Sequence, residues 1–397
     1  MDLETLRLLA SPAGEQALTA ALQVVTEEGD FLRAFQTLAA RFPRPIARGA
    51  VEQVLLRRRA IEKFTRASDM FFERTALEQA SGEMVARHRA SRFEGSSVVF
   101  DLACGLGGDA LELAARAEVI AIDRDPLRLE LLRANAKALG VGDRIDLVRA
   151  DLRRTCWRFP TRAAAFFDPS RREGHRRLRS IRAYDPPLSL LEGWRPYVRG
   201  LGAKVSPALD LAEVESLGCE VEFVSVRGEL KEAVLWFGEM RTTHRRATIL
   251  PGPHTMSGGD EPPPALGALS PYLMEPDPAI LRAGLVRHLG RDLGAWQVDR
   301  SLGFLASDRA LATPFARCYR VLEVLPFSLK RLHATLRGMG VGRVTLKKRG
   351  TAVDTEALQR RLRLTGSAEA TVILTRVRGK PLALIVQRQQ GGAEKEN

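Results

Sequence analysis

The sequence predicts an α/β protein in three parts: a helical N-terminal subdomain, a doubly wound and mostly parallel seven-stranded sheet, and a second, smaller α/β domain at the C-terminus. Three observations carry this. Residues 98–123 read V-V-F-D-L-A-C-G-L-G-G-D-A-L-E-L-A-A-R-A-E-V-I-A-I-D. An apolar run, a glycine cluster, an Ala/Leu-rich stretch and a second apolar run ending in an acid form the first half of a nucleotide-binding βαβ unit. Short apolar runs go on alternating with helix-spaced segments to about residue 240, the rhythm of a parallel sheet with crossover helices. A Pro- and Gly-rich stretch then precedes a second set of strands and helices.

The elements follow in order. Residues 1–90 show helical spacing and no strand signal: Leu6, Leu9, Ala13, Ala17, Ala20 and Leu22, then Phe31, Phe35 and Leu38. Arg57, Arg58 and Arg59 put a basic cluster on a further helix. Thr75-x-x-Glu78 has capping-box form and predicts a helix from Ala76 to about Arg89. In the domain at 91–240, strands are expected at 98–102, 119–122, 145–148, 163–167 and 203–205. Helices are expected at 110–116 and 187–194. Asp125 caps and Pro126 opens another, which runs to Leu139 before Gly140. Val221–Val226 and Ala233–Phe237 read as a hairpin. Residues 241–310 are expected to be a linker, marked by Pro251-Gly252-Pro253 and Pro262-Pro263-Pro264, followed by a helix over 279–289. The last domain, 311–390, reads as a strand at 319–324, helix 328–337, strand 343–347, a helix capped by Asp354, and a hairpin across Arg378-Gly379. A disordered tail is expected at 391–397.

Composition sets bounds. The 397 residues suffice for two or three domains, and 45% hydrophobic content is ordinary for a globular protein. The net charge of +13 suggests a polyanionic partner, because a basic surface attracts phosphates at long range. The 4 cysteines lie far apart with no C-x-x-C pair, so neither a zinc site nor a disulfide framework is expected, as suits a reducing cytoplasm. The 6 histidines show no metal-ligand spacing, and no metal is expected. The N-terminus is acidic and lacks a long apolar run. Neither a signal peptide nor a membrane span is expected, and the location expected is cytoplasmic.

The glycine turn admits two ligand classes. Gly105-x-Gly107-x-x-Ala110 has the form found in dinucleotide-binding proteins. Asp101 argues against that class, since an acid before the turn repels a pyrophosphate. It suits a ligand with a sulfonium and an ammonium. The stretch resembles motif I of class I S-adenosylmethionine-dependent methyltransferases. That resemblance implies S-adenosyl-L-methionine as cofactor. Asp101, Ala103, Cys104, Gly105, Gly107 and Gly108 would line it, Asp123 and Arg124 would lie at the ribose, and Asp151 and Leu152 at the adenine.

Asp168-Pro169-Ser170-Arg171 ends the fourth strand, where open α/β sheets bind ligands. Methyltransferases that act on nitrogens carry an acid or amide here, then prolines and an aromatic. Asp168 and Pro169 are the candidate catalytic residues. Ser170 and Arg171 replace the second proline and the aromatic, and an arginine can stack on a base or grip a phosphate. Uracil C5 chemistry is not expected: RNA uracil-5 methyltransferases, whose motif Asp168–Gly174 loosely resembles, carry a cysteine nucleophile after the fifth strand, and Val205-Ser206-Pro207 stands there instead. Asp185-Pro186-Pro187 reads as loop and helix start. The cation-dense loop of Arg171, Arg172, His175, Arg176, Arg177, Arg179 and Arg182 points to nucleic-acid phosphates, with Tyr184 as an aromatic for the pocket. Lys347, Lys348 and Arg349 put a second basic surface on the C-terminal domain.

Residues 70–240 are similar to trimethylguanosine synthase-like and related RNA methyltransferases, through D-L-A-C-G-L-G-G-D and I-A-I-D-R-D-P. The whole layout resembles bacterial class I methyltransferases with a THUMP-like C-terminal domain, through Phe71–Phe93, Asp168–Arg172, Tyr184–Leu190 and Tyr319–Gly350 with its K-K-R-G. THUMP domains bind structured RNA, so the resemblance implies tRNA or rRNA as partner and a base nitrogen as target. The alternatives are a non-catalytic RNA-binding protein that kept the fold, and a DNA or protein methyltransferase.

Overall fold

The computed structural model describes residues 1–154, 159–169, 172–173, 176–177, 184–259, 262 and 265–389. The chain divides into two units, Met1–Val221 with Glu232–Thr242, and Glu222–Lys231 with Thr243–Asn397.

The first unit begins with α1 (Leu3–Leu9), α2 (Pro12–Val24), α3 (Phe31–Ala39), α4 (Arg44–Ala60), α5 (Arg74–Gln79) and α6 (Glu83–Ser91). Helices α1 to α4 close over Leu9, Ala17, Leu18, Ala21, Leu38, Ile46, Ala50 and Val54. Alanines at the contacts let the helix axes approach. The single helix expected over 76–89 is two helices. Glu73, not Thr75, supplies the cap of α5, accepting from the N–H groups of Thr75 and Ala76. The ammonium of Lys63 ends α5 by donating to the carbonyls of Leu77, Glu78 and Ala80 at 2.7, 3.2 and 3.1 Å. The chain before α5 is extended and finds its partners in side-chain amides. Gln53 exchanges two hydrogen bonds with the Phe72 backbone at 2.6 and 2.9 Å, and Asn135 does the same for Phe71 at 2.7 and 3.1 Å.

The sheet follows: β1 (Val98–Leu102), α7 (Ala110–Leu113), β2 (Glu118–Asp123), α8 (Pro126–Leu139), β3 (Ile145–Arg149), β4 (Ala164–Phe167), α9 (Leu190–Trp194), β5 (Gly200–Val205), β6 (Glu220–Val226) and β7 (Glu229–Gly238). The strand order is β3-β2-β1-β4-β5-β7. Strands β1 to β5 are parallel and β7 runs antiparallel to β5. The order reverses between β1 and β4, so their carboxyl ends flank the crevice where such sheets bind ligands.

The second unit opens with a hairpin, β8 (Arg245–Leu250) and β9 (His254–Gly258), inside the stretch expected to be linker. The Ala-Thr-Ile-Leu run is β-prone enough to pair, and Pro251-Gly252-Pro253 becomes its turn. Then come β10 (Tyr272–Pro276), α10 (Pro278–Ala283), α11 (Val286–Leu293), β11 (Leu305–Ser307), β12 (Ala316–Pro326), α12 (Leu329–Gly338), β13 (Val341–Arg349), α13 (Thr355–Leu362), β14 (Ala368–Val377) and β15 (Lys380–Arg388). Their sheet runs β11-β10-β12-β15-β14-β13, with Trp296–Gln297 on the outer edge beside β11. Only the β13–β14 pair among these is parallel. The helix expected over 279–289 is divided at Gly284, whose φ of 73° ends α10. No helix of the described residues is long and apolar enough to cross a membrane.

One buried ion cluster ties α6 to the sheet. Arg89, 1% exposed, donates from Nε to Asp109 Oδ1 at 2.9 Å and pairs through its other nitrogens with Asp109 and Glu232. Its guanidinium lies 5.1 Å from the Phe166 ring centroid. Burial opposes this charge, and the two carboxylates more than offset that, so Arg89 stays charged. Arg89→Met strands both acids and is expected to lower the unfolding free energy by about 3–5 kcal/mol. Urea unfolding measures it, and a change under about 1 kcal/mol would contradict the assignment.

Candidate active site

The turn after β1 bends through three residues with positive φ: Ala103 at 66°, Gly105 at 58° and Gly107 at 94°. Its glycines do different work. A Cβ on Gly107 would lie 2.2 Å from Leu132 Cδ1, and one on Gly108 would lie 3.0 Å from the Ser81 carbonyl oxygen. These two let α8 and the α5–α6 loop close on the turn. A Cβ on Gly105 would meet nothing nearer than 4.0 Å, so open space lies beside that residue. Asp123, ending β2, accepts the Gly105 N–H at 3.0 Å and the Asp125 N–H at 2.9 Å. The turn and the acid that follows β2 are thereby one rigid piece.

Asp101 is 1% exposed, and its Oδ2 has no hydrogen-bond partner among the described residues. Burial pushes its carboxyl well above the usual range. The negative charges of Asp109 and Asp168 push it further, Arg89 opposes, and Asp123 adds a little. An orphaned acid among acids, at the mouth of a glycine turn with open space, fits a ligand carrying a cation. Cys104 is a spacer: burial and the neighbouring Asp101 and Asp123 raise its thiol pKa. Leu152 is buried.

Around the far side runs a chain of ion pairs. Asp151 accepts from Arg153 at 2.8 and 3.0 Å, and these hydrogen bonds hold its carboxyl down at about 2. Asp185 pairs with Arg124 at 3.2 Å and with Arg153 at 3.4 Å. Asp185, expected to be plain loop, thus links two basic residues on the cofactor side.

Asp168 follows β4, its N–H reaching the Leu102 carbonyl at 3.3 Å, so it sits directly beside the end of β1. Its Oδ2 accepts from Lys204 Nζ at 2.6 Å, and the same ammonium donates to Ser81 Oγ at 2.9 Å. Pro169 is buried behind it. Neither Lys204 nor Ser81 was singled out from the sequence. The available signal was a lone charge inside the apolar strand G-L-G-A-K-V.

Tyr184 is 3% exposed and its hydroxyl accepts the Ser206 N–H at 2.9 Å, which ties it to the residue that follows β5. Arg172 and Arg177 face each other in a short antiparallel ladder with Glu173 opposite Arg176. Ser170, Arg171, His175, Arg179 and Arg182 lie outside the described residues. In the second unit, Lys347 is half-buried and its ammonium is engaged: it donates to Glu275 at 2.6 Å and to the Tyr319 hydroxyl at 2.7 Å. Lys348 is exposed and donates to the Val353 carbonyl at 3.2 Å, and the Arg349 guanidinium lies 5.4 Å from the Phe304 ring centroid. The run expected to form one basic surface therefore has three separate environments. No group of acids, cysteines and histidines able to hold a metal occurs among the described residues.

Comparison with known proteins bears on the class of the chain. Residues 96–170 match the family described as RNA cap guanine-N2 methyltransferase, residues 316–388 the THUMP domain-like family, and residues 2–60 a domain of unknown function. A Mycobacterium tuberculosis protein, named an uncharacterised S-adenosylmethionine-dependent methyltransferase in strains CDC 1551 and H37Rv, is 38% identical over 343 residues, which is 82% of this chain and 92% of that protein. A crystal structure described as that of a methyltransferase from Porphyromonas gingivalis W83 shares the fold. It aligns with a TM-score of 0.74 over 98% of this chain and 100% of its own, at 20% identity. Fold and site define a Rossmann-like class I methyltransferase with a THUMP-like C-terminal domain. The chain belongs to the S-adenosylmethionine-dependent methyltransferases, and S-adenosylmethionine is its cofactor.

If Asp101 receives the positive charge of the cofactor, binding is expected to depend on pH: a cationic ligand favours the carboxylate, so Asp101 would release a proton when the cofactor binds. Affinity is therefore expected to rise with pH, by at most about tenfold per unit, until the pH passes the Asp101 pKa of the free protein. Calorimetry across pH in buffers of different ionisation enthalpy checks this. Asp101→Asn is expected to flatten the profile, and a flat wild-type profile would contradict it.

Proposed function

We propose that this methyltransferase moves the methyl group of S-adenosylmethionine to a nitrogen of a base in structured RNA, tRNA or rRNA, in the cytoplasm. The observation that carries the reading is Asp168. It stands at the carboxyl end of β4, next to Asp101 and the glycine turn, with one carboxylate oxygen tied to Lys204. The other can accept an N–H of the target.

Further support comes from three sources. The matched guanine-N2 methyltransferase segment, residues 96–170, runs from before β1 through Asp168. A THUMP-like segment follows at 316–388, and the chain carries a net charge of +13.

Asp101, Gly105 and Asp123 would hold the cofactor's methionine and ribose ends. The cofactor supplies an electrophilic methyl, and the protein contributes alignment of the acceptor with it and a place for the proton that leaves. Asp168→Asn is expected to lower methyl transfer about 100-fold or more while cofactor affinity stays within about threefold. Tritium transfer to total tRNA, rRNA, DNA and protein checks both the residue and the acceptor class. Label confined to DNA or protein would refute the RNA reading.

A further inference from the structure

Strand β5 is buried along its whole length, and Lys204 within it is only 4% exposed. A buried ammonium is costly unless its hydrogens are used. Lys204 has three to give. One goes to Asp168 Oδ2 and one to Ser81 Oγ. No third acceptor meets it among the described residues. Asp168 is left in the mirror situation: Oδ2 is engaged, and Oδ1 has no partner among the described residues. The Asp168 side chain is 21% exposed, so Oδ1 is open to water or to a ligand, while Lys204 beside it is buried. The pair leaves one donor and one acceptor uncommitted among the described residues, at the ends of the neighbouring parallel strands β4 and β5. That edge is the one where the sheet binds its ligands.

We infer that Lys204 is a substrate-binding residue of the methyl-transfer reaction. With Asp168 it reads a base edge on which an amine N–H stands beside a ring acceptor. The inference rests on the RNA reading above and narrows it. Asp168 Oδ1 accepts the amine N–H, and the third Lys204 hydrogen donates to the adjacent ring nitrogen. Adenine, cytosine and guanine each carry an exocyclic amine next to such a nitrogen, and uracil carries none. The cofactor supplies the methyl as a sulfonium and leaves as a neutral thioether, the electron pair of the broken S–C bond remaining on sulfur. The substrate nitrogen forms the new N–C bond with its own lone pair, and its surplus proton passes to Asp168 and on to water. Lys204 fixes Oδ2 throughout, so that Oδ1 stays aimed at the amine. Ser81 steadies the ammonium from the α5–α6 loop.

The test uses the full-length protein, tritiated S-adenosylmethionine and total RNA from cells lacking the gene. Lys204→Met is expected to bind the cofactor within about threefold of wild type and to lose about 100-fold in kcat, with Lys204→Arg recovering about a tenth or more of the activity. A second probe is a transcript whose target base has CH in place of the ring nitrogen beside the amine. It is expected to cost wild type about tenfold and Lys204→Met nothing further, because the contact is already gone. Label on RNA that Lys204→Met leaves undiminished would overturn the inference and leave the RNA reading standing. So would label on a uracil. Absence of label from wild-type RNA would overturn the RNA reading and this inference with it. Should Lys204→Met fail to fold, the altered base decides on wild type alone: a base lacking the ring nitrogen that reacts at the normal rate refutes the contact.

Discussion

The site is built on crowded negative charge. Asp101, Asp109, Asp123 and Asp168 converge at the ends of β1, β2 and β4, and Glu232 stands behind them on β7. Among the described residues, Arg89 and Lys204 are the only buried lysine or arginine side chains, and both are spent here. Two cations do not balance this many acids in an apolar place, and Asp101 bears the difference. Its Oδ2 has no hydrogen-bonding partner among the described residues, and burial with the neighbouring acids pushes its carboxyl well above the usual range. A bound ligand that carries positive charge would offset the excess.

The surrounding architecture serves this arrangement. Arg89 neutralises Asp109 and Glu232, which joins α6 and the glycine turn to strand β7. Lys63 stops α5 where it does, and so Ser81 falls between the glycine turn and Lys204. Gln53 and Asn135 fix the extended chain that leads into α5. The N-terminal helices thus set the position of a loop that touches the site.

Much of this is legible in the sequence because it is local. The apolar runs give the strands of the sheet, Asp125-Pro126 and Gly140 delimit α8 as expected, and the glycine turn with its flanking acids marks the cofactor side. What escapes is set by distant partners. Ser81 and Lys204 are 123 residues apart, and Arg89 and Glu232 143, so no pattern in the chain announces either pair. The break at Ala80 is capped by Lys63, 17 residues upstream, just before Ser81-Gly82. Lys347 looks like its neighbours in a basic run until Glu275 and Tyr319, from other strands, claim it. Tyr184 is an aromatic near the site in sequence and a buried anchor in space.

The most direct test of the account is the protonation of Asp101 itself, followed by carbon-13 NMR of side-chain carboxyl groups through a pH titration, with and without S-adenosylmethionine. The account predicts that in the free protein Asp101 titrates well above an ordinary aspartate, and that saturating cofactor brings it sharply down. A carboxyl that titrates near the ordinary value of 3.8 in both states would show that the crowded charge is balanced without the cofactor, and the electrostatic basis of the site would fall.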